Sequence, residues 1–451
     1  MSRNKLSILL ALALVTVCAV MAREPELRLA VPLLVGATSI MVILLAAALF
    51  FGERGCVSWS PGVILAVALL LRLLFLFNPP QLSDDLYRYL WDGSTLLHGT
   101  NPYAAAPADL RPPPGLAEIH ARINHPDYVT IYPPAAQVVF AGGAALGGSV
   151  TGLKTFLLLI DMGLCWLLLA LLKKLGLPLW RGVLYAWNPL PVLEIAGSGH
   201  VDGAGLALLM GAVYLLVIGR DNDSGTALRR WPFLLAGALL AGAGLVKLFP
   251  LVLAPLLLFL APAGRRRHVI AGFIAALSAF LLPFLPQLTN MAVSLDAYAR
   301  NWEFAGYAFN TLRTLTGSGG TARLILSAAF LLTAGVQTLR FARDNNIAPS
   351  PSAAAHQALT SCYTIAMALL LLTPTLQPWY ALTLAAFLPF CAGPAGLVLC
   401  WVVFLTYQVQ IPYFISGQWL ENPQVTAVVF LAPAAAYLSS RFFRWGCKTA
   451  E

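Results

Sequence analysis

The sequence predicts an all-α polytopic membrane protein with about 14 spans, and three observations carry that prediction. Of 451 residues, 59% are hydrophobic and 10% charged, against about 25% charged in soluble domains. Apolar stretches of about 20 residues recur along the whole chain, each long enough to cross a hydrocarbon core of about 30 Å. The Lys and Arg residues behind the net charge of +9 fall in short turns between those stretches. That is the positive-inside pattern and not a nucleic-acid surface, so no nucleic acid partner is expected. The seven cysteines show no CxxC pair and no metal-ligand spacing, and read as small hydrophobes.

The spans follow in order. Arg3 and Lys5 precede an apolar run at about 6–22 that resembles a signal peptide. A second run at about 29–51 follows at once, so a retained first helix with a cytoplasmic N-terminus is expected. A third span, about 57–77, leads to a long polar segment from Gln81 to about Pro134. The Gly-rich stretch AAQVVFAGGAALGGSV is short for a crossing and reads as a helix that dips in and returns. The next span, about 153–172, then ends at Lys173-Lys174 on the cytoplasmic side. Further spans are placed at about 182–197, 201–218, 231–246, 249–262 and 268–285. A second long loop runs from Pro286 to about Thr321, and spans at about 323–341, 357–373, 380–392, 395–412 and 424–440 complete the chain. The basic clusters, Arg220/Arg229/Arg230 among them, and the turn Pro349-Ser350-Pro351-Ser352 fall on the cytoplasmic side. Both long loops and the motifs GSGHVDG, LVKLFP and QPWY fall on the other, a side that the Lys and Arg positions alone assign.

The first long loop concentrates the acids. SDDLYRYLWDGSTLLHG reads as an amphipathic helix with Ser83 able to cap it and Asp84 and Asp85 in its first turn. At 100° per residue Leu82, Leu86, Leu90 and Leu97 form one stripe, suited to lying on the membrane. Asp85, Tyr89 and Asp92 share a neighbouring face, and Arg88 is one turn from Asp84. Carboxylates gathered beside a low-dielectric boundary, in a chain so poor in charge, suit general-base work; the bland alternative is a solvated surface helix.

Lys247, in LVKLFP at the outer end of a span, is expected to bind an anionic group in preference to snorkelling. Arg72, in LLLRLLF, either joins it or only reaches the interface. His200 and Asp202 in GSGHVDG could hold a sugar or phosphate, and Trp379 and Tyr380 in QPWY either line the site or sit in an interfacial belt. The second long loop carries NWEFAGYAFNTLR, whose aromatics with Asn301, Glu303, Asn310 and Arg313 suit sugar or lipid head groups. No P-loop, G-x-G-x-x-G helix opening or H-E-x-x-H helix occurs. An enzyme of this kind would need an activated donor that arrives through the membrane, and a lipid phosphate has that chemistry.

The runs SDDLYRYLWDGSTLLHGTNPY, INHPDYVTIYPP, LYAWNPLPVLEIAGSGHVDG, LVKLFPLVLAP and QPWY resemble the bacterial polyprenyl-phosphate-mannose-dependent mannosyltransferases and their relatives, glycosyltransferases of the C superfamily. The resemblance covers about 60–450 and keeps motif order. It implies a glycosyltransferase C fold: residues 1–56 as two additional helices, 57–285 as a seven-helix core holding the first periplasmic loop at 78–152, 286–322 as the second long periplasmic loop, and 323–451 as C-terminal spans. It further implies a polyprenyl-phosphate hexose donor, with mannose the expected sugar, a glycan, lipid or protein acceptor, inversion at the anomeric carbon, and an active site on the periplasmic side of a bacterial inner membrane. The general base would be Asp85 or Asp84, with the shared face favouring Asp85. Arg88, Lys247, Arg72 and Arg313 would bind the donor phosphate. Tyr89, Asp92, Asn101, Tyr103, His125, Tyr132, His200, Asp202, Gln377, Trp379 and Tyr380 would line the substrates. Relatives often carry His where Gln377 stands, which moves the phosphate role toward Lys247 and Arg88. No cofactor is implied, though the clustered acids leave room for a divalent cation. A lipid-linked sugar flippase or secondary carrier is the rival class, and paired broken helices in two related halves would mark it.

Overall fold

A computed structural model describes residues 3–113, 115–221, 230–345 and 350–448. Arg229 of the expected cytoplasmic cluster and Pro349 of the expected turn lie outside the described residues. Among the described residues the chain is helical and has no strand, only isolated bridges. Nine helices among the described residues are long and apolar enough to cross a membrane, and Pro61–Leu76, Trp231–Val246 and Phe249–Leu260 are shorter apolar helices between them. The protein is thus an all-α polytopic membrane protein.

Ion pairs and polar contacts sort the helix ends into two groups. At one end Arg181 meets Glu53 at 2.6 Å and Lys174 meets Asp221 at 2.7 Å, and Arg220 donates to Asn345 and to the Leu260 carbonyl. At the other, the turn between the Arg3–Ala22 and Val31–Glu53 helices lies along the start of the first long loop. Leu27 N donates to Gln81 Oε1 at 2.5 Å, Gln81 Nε2 to Pro25 O at 3.0 Å, Asn78 Nδ2 to Ala22 O at 2.8 Å, and Arg28 to Asp84 at 2.7 Å.

Two expected spans are not continuous helices. Residues 182–197 break into Leu179–Gly182, Val183–Ala186, Pro189–Pro191 and a π-helical turn Val192–Gly197. Pro189 and Pro191 supply no amide hydrogen for a regular ladder, and Asn188 Oδ1 accepts Leu190 N–H at 3.0 Å to start a new turn. Residues 380–392 form only the short helices Pro378–Ala381 and Leu382–Ala385 before a turn. The second long loop is largely helical, with Leu288–Asn301 and Tyr307–Thr316.

The stretch read as a dipping helix is Pro134–Ala144. At 1.5 Å per residue its 11 residues reach about 16 Å, too short to cross. It packs on the Asp85–Leu97 helix. That helix was expected to lie on the membrane surface; instead every residue from Leu86 to Thr95 is buried. Gly93 permits the burial, because a Cβ there would sit 2.3 Å from Phe140 O. Replacing Gly93 with Val is expected to push the two helices apart and destabilise the fold by about 1–3 kcal/mol or more, read as a lower melting temperature in detergent; an unchanged melting temperature would contradict this packing.

Candidate active site

The Asp85–Leu97 helix presents Asp85 at its first residue, where Ser83 Oγ accepts the Asp85 amide at 3.2 Å. The carboxylate is 20% exposed. Asn124 Nδ2 donates to Oδ1 at 2.9 Å and the Tyr132 hydroxyl to Oδ2 at 3.2 Å. Tyr132 has spent its one hydrogen on Asp85, so the Tyr89 hydroxyl at 3.0 Å donates to Tyr132. Tyr89 is fully buried and stacked on Phe140 at 4.4 Å. Burial first, and the charge of Asp85 second, hold both phenols well above their ordinary acidity range, so they remain donors.

Behind Asp85 the chain turns sharply. The π-helical turn Val192–Gly197 widens the backbone before Ser198, a feature that recurs at functional sites. Gly199 follows at φ +80°, with room for a Cβ denied by Leu86 of the Asp85–Leu97 helix. This brings His200 beside the carboxylate, with Nδ1 4.0 Å from Asp85 Oδ2 and Nε2 3.6 Å from Glu194 Oε2. The imidazole is fully buried, stacks on Trp379 at 4.0 Å, and has no hydrogen-bond partner on either ring nitrogen. Burial first, then the Lys247 charge, keep it well below the ordinary histidine range, so it is neutral.

Lys247 ends the Trp231–Val246 helix. Its Nζ lies 3.2 Å from Asp202 Oδ2, 5.6 Å from the Tyr132 ring centroid and 5.4 Å from that of Tyr380. A cation flanked by two aromatic rings and partly open to the outside is arranged to meet an anion. Tyr380 meets the Tyr298 hydroxyl of the second long loop. That loop is tied to the segment before QPWY: Phe304 N donates to Pro374 O at 3.1 Å and Leu376 N to Phe304 O at 2.7 Å.

The structure therefore gathers Asp85, Tyr89, Tyr132, His200, Asp202, Lys247, Trp379 and Tyr380. It places other expected site residues elsewhere. Asp84 pairs with Arg28. Arg88 pairs with Asp92 at 2.8 Å and donates to Tyr128 O, both side chains being buried. Arg72 neither lines the cleft nor reaches the interface. It is fully buried, 2.5 Å from Asp161, and donates to the carbonyls of Ala68 and Ala186. Arg313 is held by Glu303 and Asn310 on the exposed second loop. Tyr103 donates to Tyr132 O at 2.7 Å, and Asn101 to Gln287 at 2.9 Å; both shape the first loop. His125 adopts φ +53° and rests against Trp302 at 5.0 Å. Gln377 stands at the start of the Pro378–Ala381 turn.

Sequence reading missed Asn124, Glu194, Tyr298 and Tyr407. Glu194 is fully buried, and the Tyr407 hydroxyl lies 2.8 Å and 3.0 Å from its two carboxylate oxygens. An acid inside the apolar run PLPVLEIAG was a signal, since an ionisable group within a span calls for a partner. Asn124 and Tyr298 had no such local mark.

The sequence model of the family described as alpha-(1->6)-mannopyranosyltransferase, N-terminal domain, matches residues 7–263, more than half of the chain. A search of curated proteins finds no match.

Proposed function

The chain belongs to the alpha-(1->6)-mannopyranosyltransferase family, and on that premise we propose that it moves mannose from a polyprenyl-phosphate donor to a hydroxyl of an acceptor glycan. The reaction face is the periplasmic side of a bacterial inner membrane, with both termini cytoplasmic. Arg181, Lys174 and Arg220 cluster at the end of the bundle away from Asp85, and basic residues favour the cytoplasm.

The observation that carries this reading is the partly exposed Asp85 carboxylate fixed by Asn124 and Tyr132, with Lys247 beyond the same tyrosine ring. Asp85 takes the proton of the acceptor hydroxyl. The oxygen attacks the anomeric carbon, the bond to the phosphate oxygen breaks, and the lipid phosphate leaves toward Lys247 with inversion. Both loops border this space, which excludes water from the reacting carbon.

The test is transfer by the purified protein from polyprenyl-phosphate-mannose to a soluble α-(1→6)-linked mannose disaccharide, with the product linkage read by NMR. Movement of the lipid-linked sugar across vesicles without transfer would overturn the assignment in favour of a carrier. Lys247→Met is expected to raise the donor KM about tenfold to a hundredfold, the loss of a charge-assisted contact, with the acceptor KM unchanged. An unaltered donor KM would remove Lys247 from the phosphate site.

A further inference from the structure

The buried arm behind Asp85 has no place in the mechanism so far. His200 lies between Asp85 and Glu194, with one ring nitrogen facing each. Glu194 is reached from its other side by Tyr407, and His200 N donates to Glu194 O at 2.9 Å, so backbone and side chain join the two residues. The stacked Trp379 fixes the plane of the ring. A buried imidazole with two unpartnered nitrogens, each directed at a carboxylate, is an unsatisfied group that wants a use.

A neutral imidazole has one N–H and one lone pair, and the partner of one nitrogen decides the state of the other. When Glu194 is ionised and accepts Nε2–H, the lone pair of Nδ1 faces Asp85. That arrangement gives an ionised Asp85 no donor, but it offers an acceptor as soon as Asp85 carries a proton. Asp85 acquires that proton in the transfer step. Resting on the reading of Asp85 as base, we propose that His200 and Glu194 are positioning residues that receive the Asp85 O–H formed in the reaction, Glu194 fixing the tautomer and His200 accepting at Nδ1. The balance is simple. The acceptor oxygen loses H⁺ to Asp85 Oδ2 and gains the anomeric carbon, the lipid phosphate leaves with the C–O electron pair, and Asp85 O–H donates to Nδ1. The distances of 4.0 Å and 3.6 Å close in the substrate complex, as catalytic hydrogen bonds do.

The titratable and charged groups around the arm are Asp85, Glu194, Asp202, Lys247, Tyr132 and Tyr407, and two substitutions act on it with opposite sign. Glu194→Gln presents an amide N–H to Nε2, moves the imidazole hydrogen to Nδ1, and turns His200 into a donor that favours the Asp85 carboxylate. The acid limb of the kcat/KM profile should then move to lower pH, with kcat down about tenfold or more and the donor KM unchanged. Tyr407→Phe keeps the packing but removes the hydroxyl from Glu194, which becomes the stronger acceptor. The acid limb should move to higher pH. A third pair separates accepting from packing: His200→Asn restores an acceptor near Nδ1 and should retain more kcat than His200→Leu.

The assay uses the full chain in detergent with polyprenyl-phosphate-mannose and the α-(1→6)-linked mannose disaccharide. Opposite displacements of the acid limb support the arm. Limbs that stay put, or move the same way, overturn it. Should Glu194→Gln fail to accumulate, Tyr407→Phe decides alone, and an unmoved limb is the overturning result. Asp85→Asn run alongside keeps the two readings apart. If that variant turns over normally, the base assignment fails. If it is inactive while Glu194→Gln and Tyr407→Phe match the wild type, only the arm fails.

Discussion

Asp85→Asn will lower kcat by about two to four orders of magnitude, the span that a positioned general base contributes, while Asp84→Asn stays within a few-fold of wild type. The two acids are neighbours, so composition and charge cannot separate them, but their surroundings do. Asp84 is neutralised by Arg28 at 2.7 Å in a contact that anchors the loop. Asp85 has a partly exposed carboxylate whose two oxygens are oriented by Asn124 and Tyr132. The asparagine amide keeps the size of the group and loses the lone pair that takes the proton. Donor KM should stay near wild type, because the proposed phosphate contact is Lys247 and not Asp85. Steady-state kinetics on both variants decide the matter. Equal losses at Asp84 and Asp85 would show that the carboxylates act together or only hold the loop.

Asp161→Leu will destabilise the folded protein by about 3–5 kcal/mol, the usual result of stripping the partner from a buried charge. Arg72 and Asp161 are both fully buried, 2.5 Å apart, and the Tyr185 hydroxyl donates to the second oxygen of Asp161 at 2.6 Å. Without Asp161 the guanidinium keeps its charge and has no anion. The double variant Arg72→Met/Asp161→Leu should recover much of the loss, since an apolar pair of similar volume removes two desolvation penalties together. Thermal unfolding in detergent reads both. A double variant no better than the single would mean that Arg72 is held chiefly by its bonds to the Ala68 and Ala186 carbonyls.

The architecture was legible because it rests on a property visible residue by residue, the apolar run. The same logic misread 182–197 and 380–392. Hydropathy records which residues prefer lipid, not whether proline lets the backbone ladder continue, and Pro189, Pro191 and Pro389 fall within those segments. In the site, Asp85, Lys247 and His200 stood out as polar groups where apolar ones were the rule. Their partners did not. Glu194 and Tyr407 are 213 positions apart, and nothing local announces such a meeting. Arg72 was read as reaching toward a phosphate because Asp161, an acid in the middle of the Val150–Lys174 span, was not weighed as its mate. Arg88 likewise had Asp92 four residues on, in ideal helical register. The leucine stripe of the Asp85–Leu97 helix was correctly seen as apolar, but periodicity cannot say whether lipid or protein covers it; here Leu82, Leu86 and Leu90 are buried in protein and Leu97 stays exposed.

The cluster joins parts of the chain that are made at very different times. Asp85, Tyr132, His200 and Lys247 precede residue 263, whereas Trp379, Tyr380 and Tyr407 come from the last third. Chains grow from the N-terminus, so a ribosome has more than a hundred residues still to add after Lys247 before the indole that braces His200 exists. Until those final helices insert, the imidazole has no stacking partner and Glu194 no phenol. A nascent or prematurely ended polypeptide thus holds the carboxylate without its surroundings, and the cluster is assembled only once the last third of the chain has been made.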